Sequence, residues 1–134
     1  MESEDKPANV SIKNLSIATN LNTVFGAFDF QASNGLIAYA SANLVCILDQ
    51  FNQGGKYPKI LFTLKGHKER VNTVKWLNPS LLVSVSVDKS IIIWTYDAAK
   101  SIYLHTSWML KQHIQGAHAA SINYLTPLNL SVGD

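Results

Sequence analysis

The sequence is poor in cysteine and in charged residues, and it has no long apolar run. Cys46 is the single cysteine among 134 residues, which excludes an intramolecular disulfide and a zinc site built from several cysteines. Charged residues make up 15%, too few for a disordered chain or a long coiled coil. No apolar stretch reaches the roughly 20 residues of a membrane-spanning helix. The apolar content of 47% suits a packed globular core.

The amino terminus lacks the features of a targeting segment. It is polar and carries Glu2, Glu4 and Asp5. Secretory signals begin basic and continue apolar, and mitochondrial presequences avoid acidic residues. We therefore expect a cytoplasmic and nuclear protein without membrane contact. Residues 1–9 are predicted to be a disordered lead, and residues 10–134 to form the folded part of the chain.

Short β-branched and apolar segments, separated by turn residues, predict an all-β fold. The stretch Trp108–Ile114 is weakly helical in pattern, but we interpret it as the end of a strand followed by a loop. The predicted strands are residues 10–17, 24–30, 36–40, 44–48, 60–64, 71–76, 81–86, 91–95, 102–108, 122–125 and 128–132.

The strand pattern repeats along the chain. Residues 90–95 repeat the pattern of residues 44–49 with an offset of 46, and residues 121–125 repeat residues 70–74 with an offset of 51. These offsets slightly exceed the ~40–45 residues of a WD-type propeller blade, which indicates blades with modest loop insertions. The sequence therefore predicts about two and a half blades of antiparallel sheet.

The second repeat carries a recognisable motif. Gly66-His67 precedes one predicted strand, residues 84–88 read Ser-Val-Ser-Val-Asp, and residues 91–94 form an apolar strand that closes on tryptophan. This arrangement resembles a WD repeat, although Thr95 stands where the family usually has aspartate. The resemblance implies that residues 10–134 form an incomplete WD-repeat β-propeller.

The resemblance also implies a structural tetrad. The family's hydrogen-bonded network corresponds here to His67, Asp88, Trp94 and either Ser84 or Ser86. Asp88 would accept a hydrogen bond from the His67 imidazole. The imidazole would also contact the serine hydroxyl, and this hydroxyl would contact the indole N–H of Trp94. Each of these buried polar groups would cost about 1–3 kcal/mol if it were left without a partner.

Strands inside a propeller blade are covered on both faces by the neighbouring blades. The unbroken apolar run 91–94 is therefore predicted to be buried on both faces, with Val83 and Val85 beside it. Propellers close with about four to eight blades. We expect this chain to need the remaining blades for closure and, by itself, to associate or to unfold partly.

A narrower resemblance covers roughly residues 20–134. Residues 63–72, the weak first repeat ending at Asp49 and residues 128–134 are similar to the Elongator subunit 2 family. That family implies a double propeller and a non-catalytic scaffold without cofactors. Its partners are the other protein subunits of the complex that modifies wobble uridine in transfer RNA, whose chemistry resides in a different subunit.

Catalytic and metal-binding interpretations have less support in the sequence. His67, Ser86 and Asp88 have the composition of a nucleophilic triad, but no Gly-x-Ser-x-Gly turn is present, and the WD-type spacing accounts for all three residues. The other histidines lack further ligands at metal-binding spacing. We therefore predict that the chain is not an enzyme and has no catalytic, cofactor-binding or metal-binding residue.

The basic segment 56–111 offers an alternative function. It contains nine lysine and arginine residues against three acidic ones, which suits a nucleic-acid-binding module or a weak contact with transfer RNA. Lys65, Lys68 and Arg70 are candidates for this surface, and Trp108 is a candidate for docking a partner. We favour the explanations that the lysines are solvated blade edges and that the tryptophan packs against a neighbouring blade.

Overall fold

A computed structural model describes residues 21–24, 26–51, 55–100, 108–116, 118–123 and 125–126. Within these residues, eight strands form two four-stranded antiparallel sheets. This confirms the predicted all-β class and agrees with a partial β-propeller. The strands are β1 (Phe28–Gln31), β2 (Leu36–Ser41), β3 (Leu44–Asp49), β4 (Lys59–Lys65), β5 (Val71–Asn78), β6 (Leu81–Ser86), β7 (Ile91–Tyr96) and β8 (Trp108–Ile114), with a 3₁₀ turn at Ala98–Lys100.

Each sheet is an up-and-down meander, which is the topology of a propeller blade. The first sheet has the order β1-β2-β3-β4, and the second has the order β5-β6-β7-β8. Strand β5 lies against β1 and β2, whereas the outer strands β4 and β8 approach each other far less. The two blades therefore converge at their inner strands. The part of the chain that the structure describes has no helix suited to crossing a membrane.

The two sheets pack face to face. Successive side chains of a strand point to opposite faces, so every second side chain of each sheet points towards the other sheet. The resulting core is one continuous apolar cluster. Fully burying an aliphatic side chain contributes about 1.5–3 kcal/mol, so this interface is the main source of apolar stabilisation. Its members include Ala38, Ala40, Val45 and Ile47 from the first sheet and Val74, Leu82, Ile92 and Trp94 from the second.

The connection between the sheets requires a glycine at position 66. A Cβ atom at Gly66 would lie 2.9 Å from Cδ1 of Ile92 and 2.9 Å from Cη2 of Trp94. Both neighbouring side chains are buried. Gly66 therefore lets the chain pass closely over the second sheet on its way from β4 to β5.

Hydrogen bonds join the inner strands of the two blades. The Val74 N–H donates to the Gly26 carbonyl over 3.0 Å. The Trp76 N–H donates to Oδ2 of Asp29 over 2.8 Å, and the indole Nε1–H donates to the Asp29 carbonyl over 3.2 Å. Strand β5 is an edge strand, and these contacts give its unpaired N–H groups acceptors. They also fix the position of one sheet relative to the other.

Asn22 makes a second connection between the blades. Its Oδ1 accepts from the Ala42 N–H over 2.7 Å, and its Nδ2 donates to the carbonyls of Ala42 at 2.8 Å and Val71 at 3.0 Å. Ala42 has a φ of 50°, in the left-handed region that side chains rarely adopt. The Asn22 amide thus holds a tight turn of the first blade against the start of β5.

The outer strand of the second blade lies further along the chain than predicted. We placed it at residues 102–108, with a loop after it, but β8 runs from Trp108 to Ile114. Residues 101–107 lie outside the described residues. Pairing with β7 starts at Trp108 opposite Tyr96, where the two aromatic side chains also pack together. This packing sets the register of the strand.

Other strand predictions also need correction. The strand predicted for residues 24–30 begins only at Phe28, after a turn in which Gly26 has a φ of 82°. The described part of the predicted strand 122–125 is not a strand, because the carbonyls of Ile122 and Asn123 accept from side chains of β5 instead. The described residues therefore form two blades. The predicted lead 1–9 and strands 10–17 and 128–132 lie outside them.

The outward faces of the two blades are partly open to solvent. Ile92 and Trp94 are buried, but Ile91 and Ile93 are only half-buried, so the prediction of burial on both faces was wrong for this strand. Val83 and Val85 lie beside it and are buried, as predicted. Only one face of the second sheet packs on the other blade. On the first blade, Phe28 is 53% exposed and Phe30 is 45% exposed.

Asp29→Ala should destabilise the fold by about 1–3 kcal/mol, because it leaves the Trp76 N–H without its acceptor. Urea unfolding will measure the change. Asp29→Asn keeps a side-chain oxygen that can accept this hydrogen bond, so it should lower the free energy of unfolding clearly less. Equal effects of the two substitutions would show that this hydrogen bond does not hold the blades together.

Candidate functional site: the His67 tetrad and its surroundings

His67 lies in the connection from β4 to β5 and is buried. The Ser84 hydroxyl is 2.8 Å from its Nε2, and Oδ2 of Asp88 is 3.2 Å from its Nδ1. The indole Nε1–H of Trp94 donates to Oγ of Ser84 over 2.9 Å. The structure thus brings together His67, Ser84, Asp88 and Trp94 in one chain of hydrogen bonds.

The Asp88 carboxylate receives hydrogen bonds from several sides. The backbone N–H of Lys68 donates to Oδ2 over 2.9 Å. The N–H of Ser90 donates to Oδ1 over 2.9 Å, and the Ser90 hydroxyl contacts the same oxygen. Oγ of Ser90 also lies 2.9 Å from Nδ1 of His67. Sequence reasoning missed Ser90, although an aspartate two residues before a serine is a common turn signal.

Ser86 has a different role from Ser84. Its hydroxyl donates to the Arg70 carbonyl over 2.8 Å and accepts from the Asp88 N–H over 3.1 Å. It therefore anchors the turn between β6 and β7 to the start of β5. The structure places Ser84 against the His67 ring, and Ser86 beside the tetrad.

The protonation states follow from burial and hydrogen bonding. Burial lowers the pKa of His67 below its ordinary 6.5, and this outweighs the opposing attraction of Asp88. Burial by itself raises the pKa of Asp88, but hydrogen bonds from Ser90 and Lys68 and the nearby His67 outweigh it and lower the pKa to about 2. At neutral pH a neutral imidazole therefore donates from Nδ1 to a carboxylate and accepts at Nε2.

This geometry suits a structural network better than a nucleophilic site. Ser84, the hydroxyl beside the imidazole, is 0% exposed, and its oxygen already accepts from the Trp94 indole. A substrate carbonyl could not reach it without opening the sheet. Among the described residues, no group of three or more histidine, cysteine, aspartate or glutamate side chains could hold a metal ion.

The candidate surface residues fall into two groups. Lys65, Lys68 and Arg70 are exposed. Lys65 ends β4, and Lys68 and Arg70 lie in the connection that follows it, where Nε of Arg70 donates to Oδ1 of Asn72 over 3.1 Å. Trp108 is only 7% exposed. Its ring lies edge-on to Trp76, with ring centroids 5.6 Å apart. The structure therefore places most of this indole in the core between the blades, where it offers little surface to a partner.

Comparison with known proteins supports the narrower resemblance. No protein-family model matches the chain. Over 109 residues, which is 81% of the chain, the sequence is 35% identical to Elongator complex protein 2 of Drosophila melanogaster. The chain spans 13% of the length of that protein. The predicted resemblance to Elongator subunit 2 is confirmed for this part of its length.

Ser84→Ala should destabilise the fold by about 2 kcal/mol, because it leaves Nε2 of His67 and the Trp94 indole N–H unpaired in the core. Chemical denaturation will give the free energy. Nuclear magnetic resonance should show a shifted Trp94 Nε1–H signal. Ser86→Ala provides the matched control and should leave that signal in place. An unchanged indole signal in Ser84→Ala would contradict the tetrad.

Acid should weaken the fold in two stages. The unfolded chain takes up a proton on His67 below pH 6.5, before the folded chain does, so the free energy of unfolding falls from that pH downward. Asp88 adds a second loss as the pH drops from 3.8 towards 2.

Urea unfolding across this pH range will measure both stages. Asp88→Asn should remove the second stage, and His67→Gln should reduce the first. Parallel stability curves for the wild type and both variants would show that other groups control the acid response.

Proposed function

We propose that this chain is part of a WD-repeat propeller that serves as a non-catalytic scaffold in an Elongator-like assembly. The observation that carries the proposal is the 35% identity to Elongator complex protein 2 over most of the chain. The two antiparallel blades fit this proposal, since propellers present rigid surfaces formed by loops and outer strands.

The interior of the second blade also favours a scaffold. The tetrad commits its histidine, serine and aspartate side chains to one another, and the serine is sealed from solvent. A scaffold needs such internal rigidity, because surfaces that are already ordered lose less conformational entropy when partners bind. The proposed partners are the other protein subunits of the assembly.

The assembly's proposed role is to modify wobble uridine in transfer RNA in the cytoplasm and nucleus. In this proposal the chain positions other subunits and takes no part in the reaction. Its loss should therefore act through assembly, and the catalytic subunit should remain intact but separated from its neighbours.

Depletion of the natural protein should lower wobble-uridine modification and break up the complex. Mass spectrometry of digested transfer RNA and size-exclusion chromatography of the remaining subunits will measure both. Re-expression of the wild-type protein should restore both, and fluorescence microscopy of a tagged protein will test its location. Normal modification and an intact complex after depletion would contradict the scaffold.

A second candidate is direct contact with transfer RNA. Lys65, Lys68 and Arg70 favour it because all three are exposed and fall within residues 65–70 of the chain. Combined reversal of these charges to glutamate should weaken a gel shift with transfer RNA, most clearly at low salt, because phosphate contacts depend on ionic strength. Lys89→Glu, a single reversal in the turn between β6 and β7, is the control. Equal gel shifts in all the proteins would exclude this surface.

A further inference from the structure

A groove runs between the outer strands of the two blades. Strands β4 and β8 diverge there and enclose about 450 Å³. Trp94 and Leu64 form buried parts of its apolar lining, and Phe62 is partly buried against the same cluster. Leu110 of β8 lines the groove and is 44% exposed. A leucine this open beside aromatic side chains is poorly covered by the residues that the structure describes.

A second pocket, with a polar lining, lies towards the other end of β8. This smaller pocket of about 170 Å³ is lined by Lys68 and Asp88 on one side and by His113 and Gln115 on the other. Leu110 pairs with Trp94, and His113 pairs with Ile92. Because the Trp94 and Ile92 side chains both belong to the interface between the sheets, their partners Leu110 and His113 lie on the same face of β8. The groove and the pocket therefore follow one face of β8.

His113 has a hydrogen-bonding atom that the described residues do not satisfy. Its Nε2 is buried and has no hydrogen-bond partner there. The ring lies edge-on to His67, with centroids 6.4 Å apart. Buried polar atoms nearly always have a partner, so this nitrogen indicates a missing contact. The ring is half-buried and lines the polar pocket, so the missing partner can come from a molecule bound there.

The charges around the groove favour an acidic occupant. Strands β4 and β8 contain Lys59, Lys65 and Lys111 and no aspartate or glutamate. Lys68 is exposed at the polar end. The Asp88 carboxylate is occupied by hydrogen bonds from His67, Lys68 and Ser90, which offset its charge. A second copy of the chain would bring like-charged strand edges together, an arrangement that disfavours pairing.

We propose that this groove binds an extended segment of a partner protein in which apolar residues are followed by an acidic residue. The apolar side chains cover Leu110 and the adjoining indole of Trp94. The carboxylate pairs with the Lys68 ammonium and accepts from Nε2–H of His113. An extended segment fits because the outer edges of the blades present backbone groups that can take up a further strand. The proposal rests on the proposed function only in expecting the partner among the assembly's subunits.

Photo-cross-linking in the natural protein, isolated together with its partner subunits, will test this. A benzophenone amino acid replaces Leu110, and a matched control carries it at Leu77, which is 41% exposed on β5 and lines neither the groove nor the pocket. Mass spectrometry identifies the cross-linked peptide. The expected product from position 110 is an extended apolar segment of another protein with an acidic residue next to it. A cross-link to RNA, to a basic segment or to this chain itself, or no product, would overturn the proposal.

A second measurement uses charge substitutions at the same position. Leu110→Asp should weaken binding of the cross-linked partner segment, made as a synthetic peptide, by about tenfold or more, because it puts a charge at a central apolar contact, and such contacts carry most of the binding energy of an interface. Lys68→Glu should also weaken it, and the loss should shrink at high salt. Leu77→Asp is the control and should bind as the wild type does. Unchanged binding by Leu110→Asp would overturn the proposal.

The outcomes for the groove and for the scaffold can be told apart. If the wild-type protein copurifies with Elongator subunits but position 110 gives no cross-link, the groove proposal fails and the scaffold remains. If the wild-type protein copurifies with none of them, the scaffold fails. A cross-link to an extended acidic segment of some other protein would then still support the groove.

Discussion

The hydrogen bonds of the His67 ring hold the connection between the two blades against the second sheet, and the start of β5 depends on them. The ring reaches β6 through Ser84 and the following turn through Asp88. Gly66, next to it, allows the backbone to lie directly over Ile92 and Trp94. Loosening the ring would therefore expose polar atoms in the core and shift the start of β5.

The first blade reaches a similar rigidity without a tetrad of its own. Ala42 stands where the second repeat has Asp88, and the Asn22 side chain hydrogen-bonds both backbone groups of Ala42. The Asp29 carboxylate accepts a further hydrogen bond from β5. In the second blade the polar network lies within one sheet and the adjoining connection, whereas in the first blade the polar contacts reach across to the neighbouring sheet. Two different solutions thus stabilise neighbouring copies of one repeat.

The sequence predicted the elements that depend on local patterns. The predictions failed where contacts between residues far apart in the chain determine the structure. The Gly-His, Ser-x-Ser-x-Asp and tryptophan pattern was enough to find the tetrad positions, but the choice between Ser84 and Ser86 needed the packing of Trp94 against β6. Strand β8 continues to Ile114, past the predicted end at Trp108, because it pairs with β7 over the whole length of that strand. Asn22 has no local signal, since its partners lie 20 and 49 residues away.

The hydrogen bonds on the free edge of β5 have a consequence for how the protein forms during translation. The N–H groups of Val71, Val74 and Trp76 all donate to acceptors in the preceding blade. A ribosome releases those acceptors first, so each blade can fold onto a template that has already left the exit tunnel. For these three donors, the direction of synthesis thus matches the direction in which the second blade depends on the first.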